Sequence, residues 1–151
     1  TDDEIAAAMF AAGCVGTFIA HEGSFGGEVS GCQAECGSAG SMSSAGVVEL
    51  MGGTAEQAFT AAAVSLQNIL GLICDAVSVG YEPCNSRNAM AVSNALATAN
   101  MVLCGFSVKI PLDEVIVTMK EVGDQLPPCL KGTYGGLCCS PTGQKIAEIC
   151  G

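Results

Sequence analysis

Apolar residues recur along most of this chain at the three-and-four spacing of a helix with one buried face. Phe59, Ala62, Ala63, Leu66, Ile69 and Leu70 form the clearest stripe, and that period predicts a helix. Thr54 and Gln57 supply a capping box ahead of it, just after the break at Gly52-Gly53, so this helix is expected from Thr54 to about Leu70. Upstream, Asp2 and Asp3 are suited to cap and charge a helix running to about Ala20, and Ser38 to cap another reaching about Met51. Downstream, Asn85 or Ser86 opens a long helix to about Cys104. Pro111 suits the first position of the next helix, Gly123 is its expected C′ residue, and Ser140-Pro141 begins a last helix that stops at Gly151. Glycine- and proline-rich stretches from His21 to Gly37, Gly71 to Pro83 and Pro127 to Gly136 read as loops. Strand-like alternation nowhere exceeds four residues. The expected fold is therefore all-α, a compact bundle of about five to six Ala/Gly-rich helices with cysteine-bearing loops, forming a single domain over residues 1–151.

Composition refines this picture. Half the residues are hydrophobic, yet only 5% are aromatic, Trp is absent and there are 20 glycines, so helices are expected to approach closely over small side chains. A chain of this length buries about 70% of its unfolded surface. The net charge of −10 repels polyanions and argues against nucleic-acid binding. The apolar run from Ile5 to Ala20 is shorter than the ~20 residues of a membrane span and is interrupted by Gly13 and Gly16, so no membrane crossing is expected. Ten cysteines would suit a secreted disulfide scaffold. The long Ala-rich helical pattern, the lack of a recognisable signal peptide and a cysteine such as Cys104 within an apolar helix instead favour a reducing cytoplasm.

Three cysteines stand in distinctive settings: Gly31-Cys32-Gln33-Ala34-Glu35, Cys74-Asp75-Ala76-Val77 and Pro83-Cys84-Asn85-Ser86-Arg87-Asn88. Each lies at an expected break between helices, where the backbone can turn a thiolate inward without losing a helical hydrogen bond. Their separations of 42 and 10 residues are not those of a ferredoxin run. Cys32 and Cys36 form a C-x3-C pair, but position 39 is Ala where a radical-type motif needs cysteine, and paired C-x2-C zinc knuckles are absent. On spacing alone, buried inert thiols remain the default reading. Cys14, Cys104 and Cys129 keep that reading as core or near-surface thiols, Cys36 is read as packing, or as a ligand should Cys32 not be one, and Cys138-Cys139 as structural.

The wider context of the three cysteines changes that balance. Ser24-Phe25-Gly26-Gly27-Glu28, Glu35-Cys36-Gly37-Ser38-Ala39-Gly40-Ser41-Met42, Gly52-Gly53-Thr54-Ala55-Glu56-Gln57-Ala58 and Asn68-Ile69-Leu70-Gly71-Leu72 surround the first two. Arg87-Asn88-Ala89, Ile110-Pro111-Leu112-Asp113-Glu114-Val115-Ile116, Tyr134-Gly135-Gly136-Leu137 and Pro141-Thr142-Gly143 follow. In this order, over nearly the whole chain, they resemble the α domain of the iron-sulfur-dependent bacterial L-serine dehydratases, or L-serine ammonia-lyases. Two departures stand out. Asp75-Ala76-Val77 replaces the family's Asp-Pro-Val, and the stretch from Cys74 to Cys84 is one residue shorter than is common. The family's preceding half of the α region and its β or regulatory portion have no counterpart in this sequence.

The resemblance implies a 4Fe-4S cluster on Cys32, Cys74 and Cys84. Three protein thiolates leave one iron open as a Lewis acid, with Cys150 a candidate fourth ligand from the chain's end. The implied reaction is deamination of L-serine to pyruvate and ammonia, a step of amino-acid degradation and gluconeogenesis. Candidate catalytic residues lie beside the ligands: Ser24 and Glu28 in the glycine-rich loop, Ser41 after Cys32, and Arg87 and Asn88 after Cys84. Arg87 is the best carboxylate clamp, because a guanidinium binds a carboxylate in two-pronged fashion. Glu28 is a candidate base if desolvated. Imidazole suits proton transfer at neutral pH, but His21 is read as a solvated loop residue, leaving the base to the missing half. Expected partners are that half, a β subunit or regulatory domain, and copies of the chain in a homo- or hetero-oligomer. A cysteine desulfidase using the same open iron and a non-catalytic cluster-binding or redox-sensing module are the alternatives.

Overall fold

The computed structural model describes residues 1–77, 82–132 and 134–150, without the side chain of Cys150. Among these the fold is all-α, with seven helices: α1 (Asp2–Glu22), α2 (Gly27–Ser30), α3 (Ser38–Leu50), α4 (Ala55–Gln67), α5 (Cys84–Leu103), α6 (Leu112–Gln125) and α7 (Pro141–Cys150). The count exceeds the expected five to six because the first loop folds further. Within it lie the single turn of α2 and a π-helical turn, Gln33–Gly37, that leads straight into α3.

Local chemistry explains most of the ends. The capping box of Thr54 and Gln57 opens α4 as expected. The box at the amino end uses Thr1 with Glu4, which displaces the expected Asp2 or Asp3 from the cap. Ser38 is no cap either, because the π-turn feeds helical backbone into α3 and leaves the Ser38 hydroxyl buried without a partner. Helix α5 begins one residue before Asn85, at Cys84 itself.

Helix α1 is 21 residues long, and by length and composition it could cross a membrane, with mean hydropathy 1.4. This corrects the expectation that Gly13 and Gly16 break the apolar run. A helical glycine costs only about 1 kcal/mol, and Gly16 is where the Met42 side chain packs. The inward residues Ala8, Val15 and Ile19 are buried in the bundle against α3 and α6.

Helix α3 is central, packing on α1, α4 and α5. Its small residues permit this: Ser41, Ser44, Ala45 and Gly46 are buried together with Val48. The main core adds Ile19, Leu66, Ile116 and Met119, all fully buried. Gly123 is not the C′ residue of α6 but lies within it, pressed against α2; a Cβ there would stand 2.5 Å from the Ser30 Cβ. A second small cluster, Cys32, Cys36, Ile69 and Ala91 with Leu72, lies at the end of the bundle where the cysteine-bearing loops meet.

Candidate metal centre

Cys32 follows Gly31, whose φ of +79° lets the chain leave α2 sharply, while the Leu72 carbonyl occupies the space a Cβ would need. The next residue fixes the turn. Gln33 donates its backbone N–H to the Leu72 carbonyl at 2.9 Å, and its side-chain Nε2 to the carbonyls of Ser30 at 2.8 Å and Met119 at 2.9 Å. Its Oε1 accepts the Gly71 N–H at 2.8 Å. One buried amide thus joins α2, α6 and the chain leading to Cys74, so the positions of Cys32 and of that loop are set together.

Cys74 is held by a strap. Its N–H donates to the Leu130 carbonyl at 2.9 Å, and its carbonyl accepts from Gly132 at 3.0 Å. The adjoining Asp75 is buried, with Oδ1 accepting from Arg87 Nη1 at 2.5 Å and Oδ2 accepting from the Leu137 N–H at 3.0 Å. Arg87 Nη1 also donates to the Ile73 carbonyl at 2.9 Å. The Arg87–Asp75 pair is only 16% and 3% exposed, so its charges are little screened by water and removing one member would leave the other uncompensated. Cys84 begins α5, and its carbonyl accepts from Asn88 Nδ2 at 3.0 Å.

The electrostatics show that these thiols share one neighbourhood. The Cys32 thiol is lowered to about 7, chiefly by a hydrogen bond from Cys36 and then by the Arg87 charge, against the opposing effect of burial. Cys36, the donor in that pair, is pushed strongly upward by the same bond and by burial. Burial raises Cys74, with the charges of Glu35, Cys32 and Cys84 adding to it. Cys84 is likewise raised by burial and by the charges of Cys32 and Glu35, while Arg87 pulls the other way. Burial opposes the charge on Arg87, but Asp75 and Cys32 together outweigh it and hold the guanidinium above its ordinary value. Among the described residues no three His, Cys, Asp or Glu side chains lie close enough to hold a single metal ion. Thiolates of a cubane cluster stand farther apart, one at each corner iron.

Comparison with known proteins places the chain as a whole in a family, without reference to the cysteines. Residues 1–138 match the family described as serine dehydratase alpha chain. The chain belongs to that family. A probable L-serine dehydratase alpha chain of Bacillus subtilis is 45% identical over 150 residues, which are 98% of this chain and 50% of the relative. The L-serine dehydratase alpha chain of Peptoniphilus asaccharolyticus is 47% identical over 135 residues, 87% of this chain and 46% of the relative. L-serine dehydratase 1 of Escherichia coli is 42% identical over 130 residues, 85% of this chain and 29% of the relative. The chain therefore spans about half the length of the two alpha chains.

In this member of the family, the other expected site residues are dispersed. Ser24 is half-buried and its hydroxyl accepts the Gly26 N–H at 3.0 Å. Glu28 is exposed in α2, with its carboxylate beside Gly26. The Ser41 hydroxyl donates to the Ala62 carbonyl at 2.9 Å in the α3–α4 core. Asn88 reaches the cysteines directly, its Oδ1 lying 3.8 Å from Cys36 Sγ. His21 lies in the last turn of α1, not in a loop, with Nδ1 2.7 Å from Glu22 Oε1. Cys14, Cys104 and Cys129 are exposed, and Cys104 ends α5 instead of lying within it. The side chain of Cys150 lies outside the described residues.

Sequence reasoning missed three features. Gln33 gives no periodic signal, since a buried amide is recognised only by its partners. Glu35, whose charge acts on Cys32, Cys36, Cys74 and Cys84 alike, has its carboxylate over Gly27, where a Cβ would come within 2.9 Å of it. Cys36, read as packing, lies with its Sγ 3.4 Å from that of Cys32; the C-x3-C spacing was the available clue.

Proposed function

We propose that this chain is the cluster-holding part of an L-serine dehydratase, which converts L-serine to pyruvate and ammonia, with a 4Fe-4S cluster on Cys32, Cys74 and Cys84. The observation that carries the reading is the meeting, in a member of this family, of three cysteine-bearing segments: Gln33 ties the turn of Cys32 to the chain before Cys74, and Arg87 ties the helix of Cys84 to Asp75. The donor set fits the group, because soft thiolates at chain breaks suit iron-sulfur ligation. When bound, such a cluster supplies a Lewis-acidic iron to the β-hydroxyl, which otherwise leaves poorly.

The chain's own residues bind and orient. Arg87, kept charged and aimed by Asp75, receives the substrate carboxylate. Asn88 offers its amide beside the thiols. Ser24 and Glu28 of the glycine-rich segment and Ser41 of α3 are the further candidate catalytic residues, and Cys150 is the candidate fourth thiolate. The Cα proton goes to a base on the remainder of the relatives' length, and the domain works joined to that remainder and to a β or regulatory portion. We place it in the cytoplasm, where thiols stay reduced.

Anaerobic reconstitution tests the proposal. Cys32→Ser, Cys74→Ser and Cys84→Ser should each lose iron and sulfide, and the chain combined with the missing portion should form pyruvate from serine. Full cluster content in all three variants would refute the ligand set; sulfide released from cysteine in place of pyruvate from serine would reassign the reaction to a desulfidase.

A further inference from the structure

The proposed ligand Cys32 has a second thiol almost in contact with it. The Sγ atoms of Cys32 and Cys36 are 3.4 Å apart, and both side chains are 2% exposed. The π-turn that carries Cys36 begins directly after Cys32, and both side chains pack in the same small cluster with Ile69, Ala91 and Leu72. Nothing in serine elimination requires Cys36.

We infer that Cys36 is a resolving thiol for Cys32, closing a reversible disulfide with it under peroxide when no iron is bound. The inference rests on the proposed ligand role of Cys32 for its biological meaning, and on geometry alone for its chemistry. The Cys32 thiolate attacks one oxygen of hydrogen peroxide, breaks the O–O bond and becomes a sulfenic acid, while the other oxygen leaves as water after taking a proton. Cys36 sulfur then attacks the sulfenic sulfur, the S–O bond breaks, and the second oxygen leaves as water. Two thiols are oxidised by two electrons and one peroxide is reduced to two waters. A neighbouring thiol intercepts the sulfenic acid before it passes to the irreversible sulfinic state. The ligand is thereby stored in a form that a dithiol reductant can reopen.

The test uses the full chain, freed of metal, exposed to hydrogen peroxide, alkylated and digested with a glutamate-specific protease. Cleavage after Glu28, Glu35 and Glu49 separates the two cysteines into Val29–Glu35 and Cys36–Glu49. The expected product is these two peptides joined, lighter by two hydrogens than their sum and released by dithiothreitol. Recovery of the two peptides separately, or Cys32 joined to Cys74 or Cys84, overturns the inference. This readout does not depend on whether Cys32 holds iron. In a second arm, wild type treated with excess peroxide should regain most of its iron uptake after dithiothreitol, whereas Cys36→Ser should show a lasting loss with Cys32 as sulfinic acid. Equal recovery in the two proteins would show that Cys36 protects nothing. Linked peptides with no iron uptake under any condition would leave the pair standing and remove the ligand reading.

Discussion

Gln33 makes three side-chain hydrogen bonds to backbone from a fully buried position, and its removal would leave the Gly71 N–H without its acceptor and take a donor from two carbonyls. Gln33→Leu should destabilise the chain by about 2–4 kcal/mol, measured by urea unfolding, and reduce iron uptake because Cys32 and the Gly71 loop lose their common anchor. An unchanged midpoint would show that water replaces the amide. Cys32 gives a pH dependence. Its thiol is lowered from 9.0 to about 7, so between those values the unfolded chain binds the extra proton and stability rises with pH. The metal-free protein should lose on the order of 1 kcal/mol as pH falls from about 9 to about 7, and Arg87→Met should shrink this effect. A flat profile would show that the Cys36 hydrogen bond and the Arg87 charge do not hold the thiol down. At this scale the sequence revealed residues with strong neighbours, such as Cys32 between Gly31 and Gln33, and concealed those defined by distant partners. Asp75 was visible as the residue after a proposed ligand, but its link to Leu137 lies 62 positions away.

Elements were more legible than their joints. The stripe through Phe59 and Leu66 and the box at Thr54 located α4, because period and cap are both local. The π-turn was not visible, since its cause is tertiary: Gln33 is drawn to Leu72 and Met119, and the extra residue of the wider turn is absorbed there. Gly123 was misassigned for the same reason. A C′ residue and a close helix contact both ask for glycine, and only the contact with Ser30 distinguishes them. Two alanine substitutions separate these roles. Gly13→Ala, with no neighbour within 4 Å of the added carbon in an exposed stretch of α1, should stabilise by about 0.5–1 kcal/mol. Gly123→Ala should destabilise by about 1–3 kcal/mol, because α6 must retreat from α2. Thermal unfolding of both checks the pair, and stabilisation by Gly123→Ala would refute the close contact.

The molecule as a whole presents apolar surface that a self-sufficient bundle would cover. Ile5, Met9 and Phe10 on α1 are 59%, 68% and 79% exposed, and Val92 and Leu96 on α5 are also open. The chain matches only half of its alpha-chain relatives, and these faces suit the remainder. The chain alone should bind an apolar dye and self-associate with concentration, and adding the missing portion should suppress both; Phe10→Ser should weaken that rescue without unfolding the bundle. A monomer that neither binds dye nor takes up the missing portion would remove α1 from the interface. The strap across Cys74 also sets an order in time. Cys32 leaves the ribosome long before Leu130, Gly132 and Leu137, the residues that fix Cys74 and its neighbour Asp75. A nascent chain therefore offers an early thiol and a loose one, and the proposed cluster on Cys32, Cys74 and Cys84 would be seated only after Leu137 has emerged.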